Sequence, residues 1–318
     1  MLQVDLNKLL QNEIETLLAP LSGYARFYDL VRESLAKVRR ESDVNTVDGR
    51  AWSFLPLFVC DAICGHYEQA LPASAGLELL KTAAEVFDDI EDADSTESLS
   101  AKYGTPLAIN TASALIILAE KAFTRLKNRD VDSAIVLSLI DTVNSYYTTA
   151  CTGQHLDLSL TPEEAVSEDV YFRVIAMKSA FVVECACHTG ALLARANQET
   201  IQSFIGFGHY LGMASQIAND IKGVTSFRDI RKRKITLPAI YALAQTGGKT
   251  HLQLERFFIN PTTESVSTPR QIVNSLFSTG AIQYATIKME LYHQQAIDIL
   301  IRLEEMGIKI KQLQQFLN

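Results

Sequence analysis

Apolar residues recur at three- and four-residue spacing along nearly the whole chain. No segment shows the strict apolar–polar alternation of a half-buried strand. That period confines the chain to helix packed on helix. With 15 Gly and 8 Pro in 318 residues, long uninterrupted helices are expected. Met1–Leu18 and Tyr24–Arg40 read as amphipathic helices, followed by a polar loop at Glu41–Gly49. Ala51–His66 is strongly apolar, and a helix capped at Leu71-Pro72-Ala73-Ser74 ends in Glu85–Asp94. A polar loop, Ser95–Gly104, separates it from helices near Pro106–Asn128 and Val131–Gly153. Thr161-Pro162-Glu163-Glu164 signals a helix start, with proline early and acids in the first turn, and the helix proper is expected from Ser167 to about Ala196. Further helices are expected at Glu199–Gly223, Leu237–Gln245 and Pro269–Met306, with an amphipathic tail at Ile308–Phe316. No internal repeat or low-complexity linker divides the chain, so residues 1–318 read as one all-α domain of roughly a dozen helices.

The acidic helix end is the first candidate for chemistry. Asp88 and Asp92 stand one turn apart, about 6 Å between them, and Asp89 flanks them. Three carboxylates ending an apolar helix repel one another unless a positive charge lies between them. Mg2+ takes such oxygen ligands, commonly one or two carboxylates plus substrate phosphates. A solvated acidic helix end is the alternative.

Gln216, Asn219, Asp220 and Gly223 share a second helical face, and a dense basic run, Arg231-Lys232-Arg233-Lys234, follows after Asp229. That run suits a loop closing over a polyanion; a solvated surface loop is its alternative. Gln154 and Asp157 share one face after Gly153. Arg173 and Lys178 lie in an apolar stretch with Phe172, Val174, Ile175 and Phe181, where a cation requires a carboxylate or phosphate partner.

The overall balance excludes other classes. Net charge −8, from 29 basic and 37 acidic residues, argues against nucleic acid as a partner. The five cysteines lie in apolar stretches without a C-x-x-C pair, as buried free thiols of a reducing compartment would. The N-terminal helix carries Asp5, Glu13 and Glu15, wrong for a targeting peptide, and runs such as Ala114–Ala119 are too short to span a bilayer. The expected setting is cytoplasmic.

In order along the chain stand Asp88-Asp89-Ile90-Glu91-Asp92, Gly153-Gln154-His155-Leu156-Asp157, Lys178-Ser179, Phe207-Gly208 through Gln216-Ile217-Ala218-Asn219-Asp220, and Lys234-Ile235-Thr236-Leu237-Pro238. This series resembles the polyprenyl synthetase family, the trans-isoprenyl diphosphate synthases, and the class I terpene synthases that share their fold. The resemblance implies a helical bundle around a central cavity and a homodimer. It implies Mg2+, two or three ions with Mn2+ as a substitute, bound by Asp88, Asp89, Asp92, Asn219 and Asp220. It further implies that Gln154, Arg173, Lys178, Gln216 and Lys234 contact an isoprenoid diphosphate, with Arg173 and Lys178 stabilising the leaving group.

The departures from the family pattern carry equal weight. Asn219 replaces the first aspartate of the second acidic motif and Gly223 its last, leaving water, Gln216 or Asp229 to complete a metal shell. Where the family binds isopentenyl diphosphate, Trp52 and Ser53 replace a Lys-Arg pair, Leu55 an Arg and Lys81 a His, while Arg50 remains. The Arg pair after the first motif is missing from Ser95–Gly104, where Lys102 is the only base. Alanines at 83 and 84 leave the pocket floor open for a C15–C20 chain. The expected function is therefore a class I terpene synthase-like ionisation of a C15–C20 allylic diphosphate, an already bicyclic C20 substrate included, to a terpene hydrocarbon or alcohol. Prenyl transfer to isopentenyl diphosphate or another acceptor is the alternative, and a non-catalytic partner subunit the second alternative. Trp52, Phe54, Phe87, Phe181, Phe204 and Phe207 are candidate pocket walls.

Overall fold

The computed structural model describes residues 2–45, 52–92, 96–260 and 267–317. Among them are sixteen α-helices and no strand, as the period requires. The chain divides into two compact units, the first made of Met1–Asn144, Cys185–Ile205 and Leu300–Asn318, the second of Ser145–Glu184 and Gly206–Ile299.

The first unit holds α1 (Leu2–Leu18), α2 (Ala25–Asn45), α3 (Leu55–Cys64), α4 (Leu71–Asp92), α5 (Leu99–Tyr103) and α6 (Thr105–Thr124), and α7 (Ser133–Ser159) begins in it. Leu6, Leu10, Ile14 and Leu17 form the buried stripe of α1. Helix α4 is buried almost throughout from Leu71 to Leu80 and packs along α6. That approach needs Gly76, where a Cβ would stand 2.5 Å from Phe123 Cε1. The expected loop Glu41–Gly49 is helical through Asn45. Gly49, Arg50 and Ala51 lie outside the described residues, as do Ala93, Asp94 and Ser95. The expected loop Ser95–Gly104 contains α5, which starts because Ser98 Oγ accepts from the Ala101 amide. Residues Thr105–Arg129 are long and apolar enough, by length and composition alone, to cross a membrane, but 44% of that apolar window is buried and α6 packs along α4, as the core helix of a folded unit does.

The second unit holds α8 (Pro162–Ala165), α9 (Glu168–Ile175), the main parts of α11 (Gln198–Thr225) and α16 (Ala281–Glu305), and α12 (Arg228–Arg231), α13 (Leu237–Gln245), α14 (Gly248–Phe258) and α15 (Pro269–Ser278). The helix expected from Ser167 to Ala196 is divided: a π-turn over Ala176–Ala180 separates α9 from α10 (Phe181–Leu193). The stretch Pro269–Met306 is likewise divided, at Gly280, whose φ of +76° ends α15. Leu237, Ile240, Met213, Ile217, Tyr171 and Ile175 form one core cluster of this unit.

Of the five cysteines, all free, Cys60, Cys185 and Cys187 are buried as expected, whereas Cys64 and Cys151 are exposed. Burial pushes the Cys60 thiol up to about 12.

Glycines set the depth at which helices meet the π-turn. A Cβ on Gly153 would stand 2.7 Å from Met177 Cβ and 3.0 Å from the Lys178 amide nitrogen; one on Gly212 would meet Ala180 Cα at 2.7 Å. Gly153→Val is expected to lower unfolding stability by about 1–3 kcal/mol, the usual cost of overpacking. Urea titration checks this, and an unchanged midpoint and slope would contradict it.

Candidate functional site

In the first unit α4 carries Asp88 and Asp89 half-buried and Asp92 exposed at its end. The positive charge that the crowded carboxylates require comes in part from α2, where Lys37 Nζ pairs with Asp89 Oδ2, both side chains mostly out of solvent. Lys37, Arg40, Lys102, Glu33, Glu97 and Leu99 line a small pocket of about 250 Å³. One helical turn before Asp88, Glu85 has a clear role: its Oε1 accepts from Lys81 Nζ at 2.7 Å.

That pairing bears on the expected seat of a second diphosphate. Lys81 is held by Glu85, and Lys102 lies between Glu97 (2.9 Å) and Glu33 (3.4 Å). The Trp52 ring stacks on Phe316 with centroids 5.8 Å apart, Ser53 Oγ donates to the buried Glu78 carboxylate, and Leu55 is fully buried. Glu78 also takes the Arg39 guanidinium. The described residues of this region thus satisfy one another. Ala83 is buried but Ala84 is exposed, so only Ala83 lines the interior. Phe54, Phe181, Phe204 and Phe207 are core residues, each at most 8% exposed.

In the second unit the carboxylate of Asp220 is buried at 2% exposure. Its two oxygens accept from Gln216 Nε2 and the Tyr171 hydroxyl, each at 2.8 Å. Burial raises the Asp220 carboxyl above the usual carboxylate range, against the opposing pull of Lys234 and the two donors. Burial, and then the Asp220 charge, push the Tyr171 phenol well up. Asn219 lies half-buried beside them, its Oδ1 facing Arg228. Lys234 is exposed with the rest of the basic run.

Lys178 Nζ donates to Asp157 Oδ2 at 2.9 Å, so the cation in the π-turn has an internal carboxylate partner. Gln154 is half-buried on the adjoining turn of α7. Arg173 corrects an expectation. It is exposed on α9 and makes no ion pair among the described residues, so burial does not oblige it to find a phosphate. The sequence reading missed Lys37 and Tyr171, which come from distant helices; only the tertiary fold brings them to the acidic motifs. It also missed the aromatic group Tyr171, Phe172, Tyr210 and Tyr292, linked by ring contacts of 5.4–6.2 Å.

The two acidic motifs differ as metal hosts. Among the described residues no three Asp, Glu, His or Cys side chains form a ready-made metal cage. Asp88, Asp89 and Asp92 nevertheless fit the donor type of Mg2+, which completes its shell with phosphate and water. In the second set each oxygen of Asp220 and the Asn219 Oδ1 already accept a hydrogen bond from the protein, and the Arg228 guanidinium faces Asn219.

Tyr171→Phe leaves a buried carboxylate oxygen of Asp220 without its donor. Stability is expected to fall by about 1–3 kcal/mol. A buried Asp with a raised folded value stabilises least where it is ionised, so its contribution declines as pH rises through that value. The hydroxyl favours the ionised form, so the loss should be greater at pH 8 than at pH 4.5. Urea unfolding at the two pH values measures it; an equal loss at both would contradict the assignment.

A family model described as polyprenyl synthetase matches residues 50–276. The geranylgeranyl diphosphate synthase of Mycobacterium tuberculosis is 31% identical over 201 residues, covering 59% of this chain and 56% of that relative, so the match spans just over half its length. The tryptophan prenyltransferase ComQ of Bacillus subtilis subsp. natto is 30% identical over 230 residues, covering 71% of this chain and 68% of ComQ. In fold, the chain is similar to the geranylgeranyl pyrophosphate synthetase from the archaeon Geoglobus acetivorans, with a TM-score of 0.80 at 22% identity over 94% of this chain and 93% of that one. With the family model spanning most of the sequence and the helical fold matched along nearly its whole length, the chain belongs to the polyprenyl synthetase family.

Proposed function

We propose that this chain is a prenyltransferase that draws its prenyl group from an allylic isoprenoid diphosphate and passes it to an acceptor lacking a diphosphate. The cyclisation expected from the sequence is the less well supported reading, because the relatives named above are prenyl-transferring enzymes. The observation that carries the choice of acceptor is the filled region around Trp52, Ser53, Leu55 and Lys81. A diphosphate brought there would have to displace Glu85 from Lys81 and Glu97 from Lys102, and desolvating it without paired donors would cost several kcal/mol. ComQ is named for tryptophan as acceptor, which supports an electron-rich ring of that kind.

In this reading Asp88, Asp89 and Asp92 would hold Mg2+ through their carboxylates, with Lys37 fixing Asp89. Bound there, the ion would supply Lewis-acid polarisation of the leaving diphosphate. The allylic C–O bond breaks with its electron pair on the diphosphate, the acceptor's π electrons form the new C–C bond, and the acceptor then loses a proton. Lys178, with Gln154 and Lys234, serves the departing anion. The aromatic group around Tyr171 and Tyr292 supplies apolar surface and π density in the second unit. Ala83 leaves room for a C15–C20 chain.

Dimerisation belongs to the same proposal. Helix α6 exposes Ile109, Ile116 and Ile117 on one face, with Leu137 of α7 also exposed, in the first unit. Such a stripe suits a second copy of the chain. Ile117→Glu is expected to convert a dimer to a monomer in sedimentation velocity; a species of unchanged mass would count against this face.

The chemistry is tested by release of inorganic diphosphate from C15 and C20 allylic diphosphates with Mg2+ and an indole-bearing peptide. Asp88→Asn and Asp92→Asn are each expected to slow release by roughly a hundredfold or more, since metal charge stabilisation is worth several kcal/mol. Rates matching the unaltered chain would sink the assignment.

A further inference from the structure

Resting on the prenyl-transfer reading, we propose that Arg228 is the fixed cation of the second acidic motif and that its guanidinium binds a diphosphate anion there. The first support is space. A Cβ on Gly223 would lie 1.9 Å from Asp229 Oδ2 and 2.6 Å from Arg228 Nη2. The Arg228–Asp229 pair can fold back over α11 only because position 223 has no side chain. The glycine that removes the motif's last carboxylate is therefore also what admits the guanidinium.

The second support is the donor geometry. Arg228 Nε donates to Asp229 Oδ1 at 2.8 Å and Nη2 to Asp229 Oδ2 at 3.4 Å. Arg228 Nη1 and Nη2 reach Asn219 Oδ1, and Nη2 reaches the Asn219 carbonyl, each at 3.4 Å. Asn219, which replaces the motif's first aspartate, thus presents a neutral oxygen to a cation already balanced by Asp229. Asp229 is buried, so its charge needs this partner. Asp220 turns both oxygens to Gln216 and Tyr171. A divalent ion entering here would meet the charge of the Arg228 guanidinium at Asn219 and oxygens that each already accept a protein hydrogen bond.

The third support is the backbone. Phe227 sits at φ +64°, a left-handed conformation that costs a non-glycine residue roughly 1–2 kcal/mol. This residue reverses the chain after α11 and delivers Arg228 to Asn219. The Arg228 side chain is still 43% exposed, leaving part of its five-donor fork for an anion. A guanidinium matches phosphate oxygens in bidentate fashion and never loses its charge in the physiological range.

The test uses the full chain, inorganic pyrophosphate as probe and Mn2+ as the countable metal. Calorimetry gives the pyrophosphate affinity, and electron paramagnetic resonance gives the number of Mn2+ bound per chain. Arg228→Gln retains N–H donors for Asp229 and Asn219 but removes the charge. It is expected to weaken pyrophosphate binding by about tenfold or more without changing the Mn2+ count, and Arg228→Lys to restore part of the loss. Circular dichroism confirms that both variants are folded. An unchanged affinity in Arg228→Gln overturns the proposal while leaving prenyl transfer intact. So does a Mn2+ count that falls when Asn219→Ala removes the amide oxygen. If the unaltered chain binds no pyrophosphate at any Mn2+ concentration, the prenyl-transfer reading falls together with this one.

Discussion

A carboxylate removed from water must find a partner, and that requirement decides which acidic residues of this helical protein stay available for chemistry. Glu13 is held by Arg125 and Arg129, and Glu78 by Arg39 and Ser53. Asp220 takes Tyr171 and Gln216, and Asp229 takes Arg228. Each of these buried carboxylates is anchored by protein donors. Asp88, Asp89 and Asp92 differ in being only half-buried or exposed at the end of α4. The same rule that pins the buried acids leaves this motif as the best candidate to meet a metal ion and a diphosphate.

Close helix approach then positions the parts. Gly76 lets α4 meet α6, and Gly153 and Gly212 let α7 and α11 reach the π-turn that carries Lys178. A π-turn widens the helix by one residue and often marks a functional position. Here it sets Lys178 opposite Asp157, four residues and about one turn beyond Gly153. In the second unit the Lys178–Asp157 pair thus depends on close packing at Gly153 and Gly212.

Much of this was legible in the sequence. The period of apolar residues gave the helices, and the spacing of Asp88, Asp89 and Asp92 gave the acidic end. Breaks such as Gly280 and the π-turn were hidden because neither interrupts the apolar period. The partners of the charges were hidden for a different reason. Lys37 and Asp89, or Tyr171 and Asp220, are tens of residues apart, and spacing rules reach only one or two turns. Arg173 was read as buried from its apolar neighbours, but α9 turns it outward. The loss at Gly223 looked like a simple deletion of a carboxylate; its structural meaning emerged only when Arg228 and Asp229 were found in the vacated space.

The departures from the family pattern fall into two groups, and each has a physical counterpart. Where the pattern would hold a second diphosphate, aromatic stacking and internal ion pairs now fill the region. At the second acidic motif the Arg228 guanidinium lies against Asn219 and Asp229. In the proposed reading, the surviving acidic motif serves one diphosphate-bearing substrate and the acceptor lacks that group. The most direct measurement is product analysis by mass spectrometry after incubation with Mg2+ and a C15 allylic diphosphate, with isopentenyl diphosphate and an indole-bearing peptide supplied separately. The account predicts a prenylated peptide and no chain elongation. A C20 diphosphate whose formation saturates with isopentenyl diphosphate would contradict it.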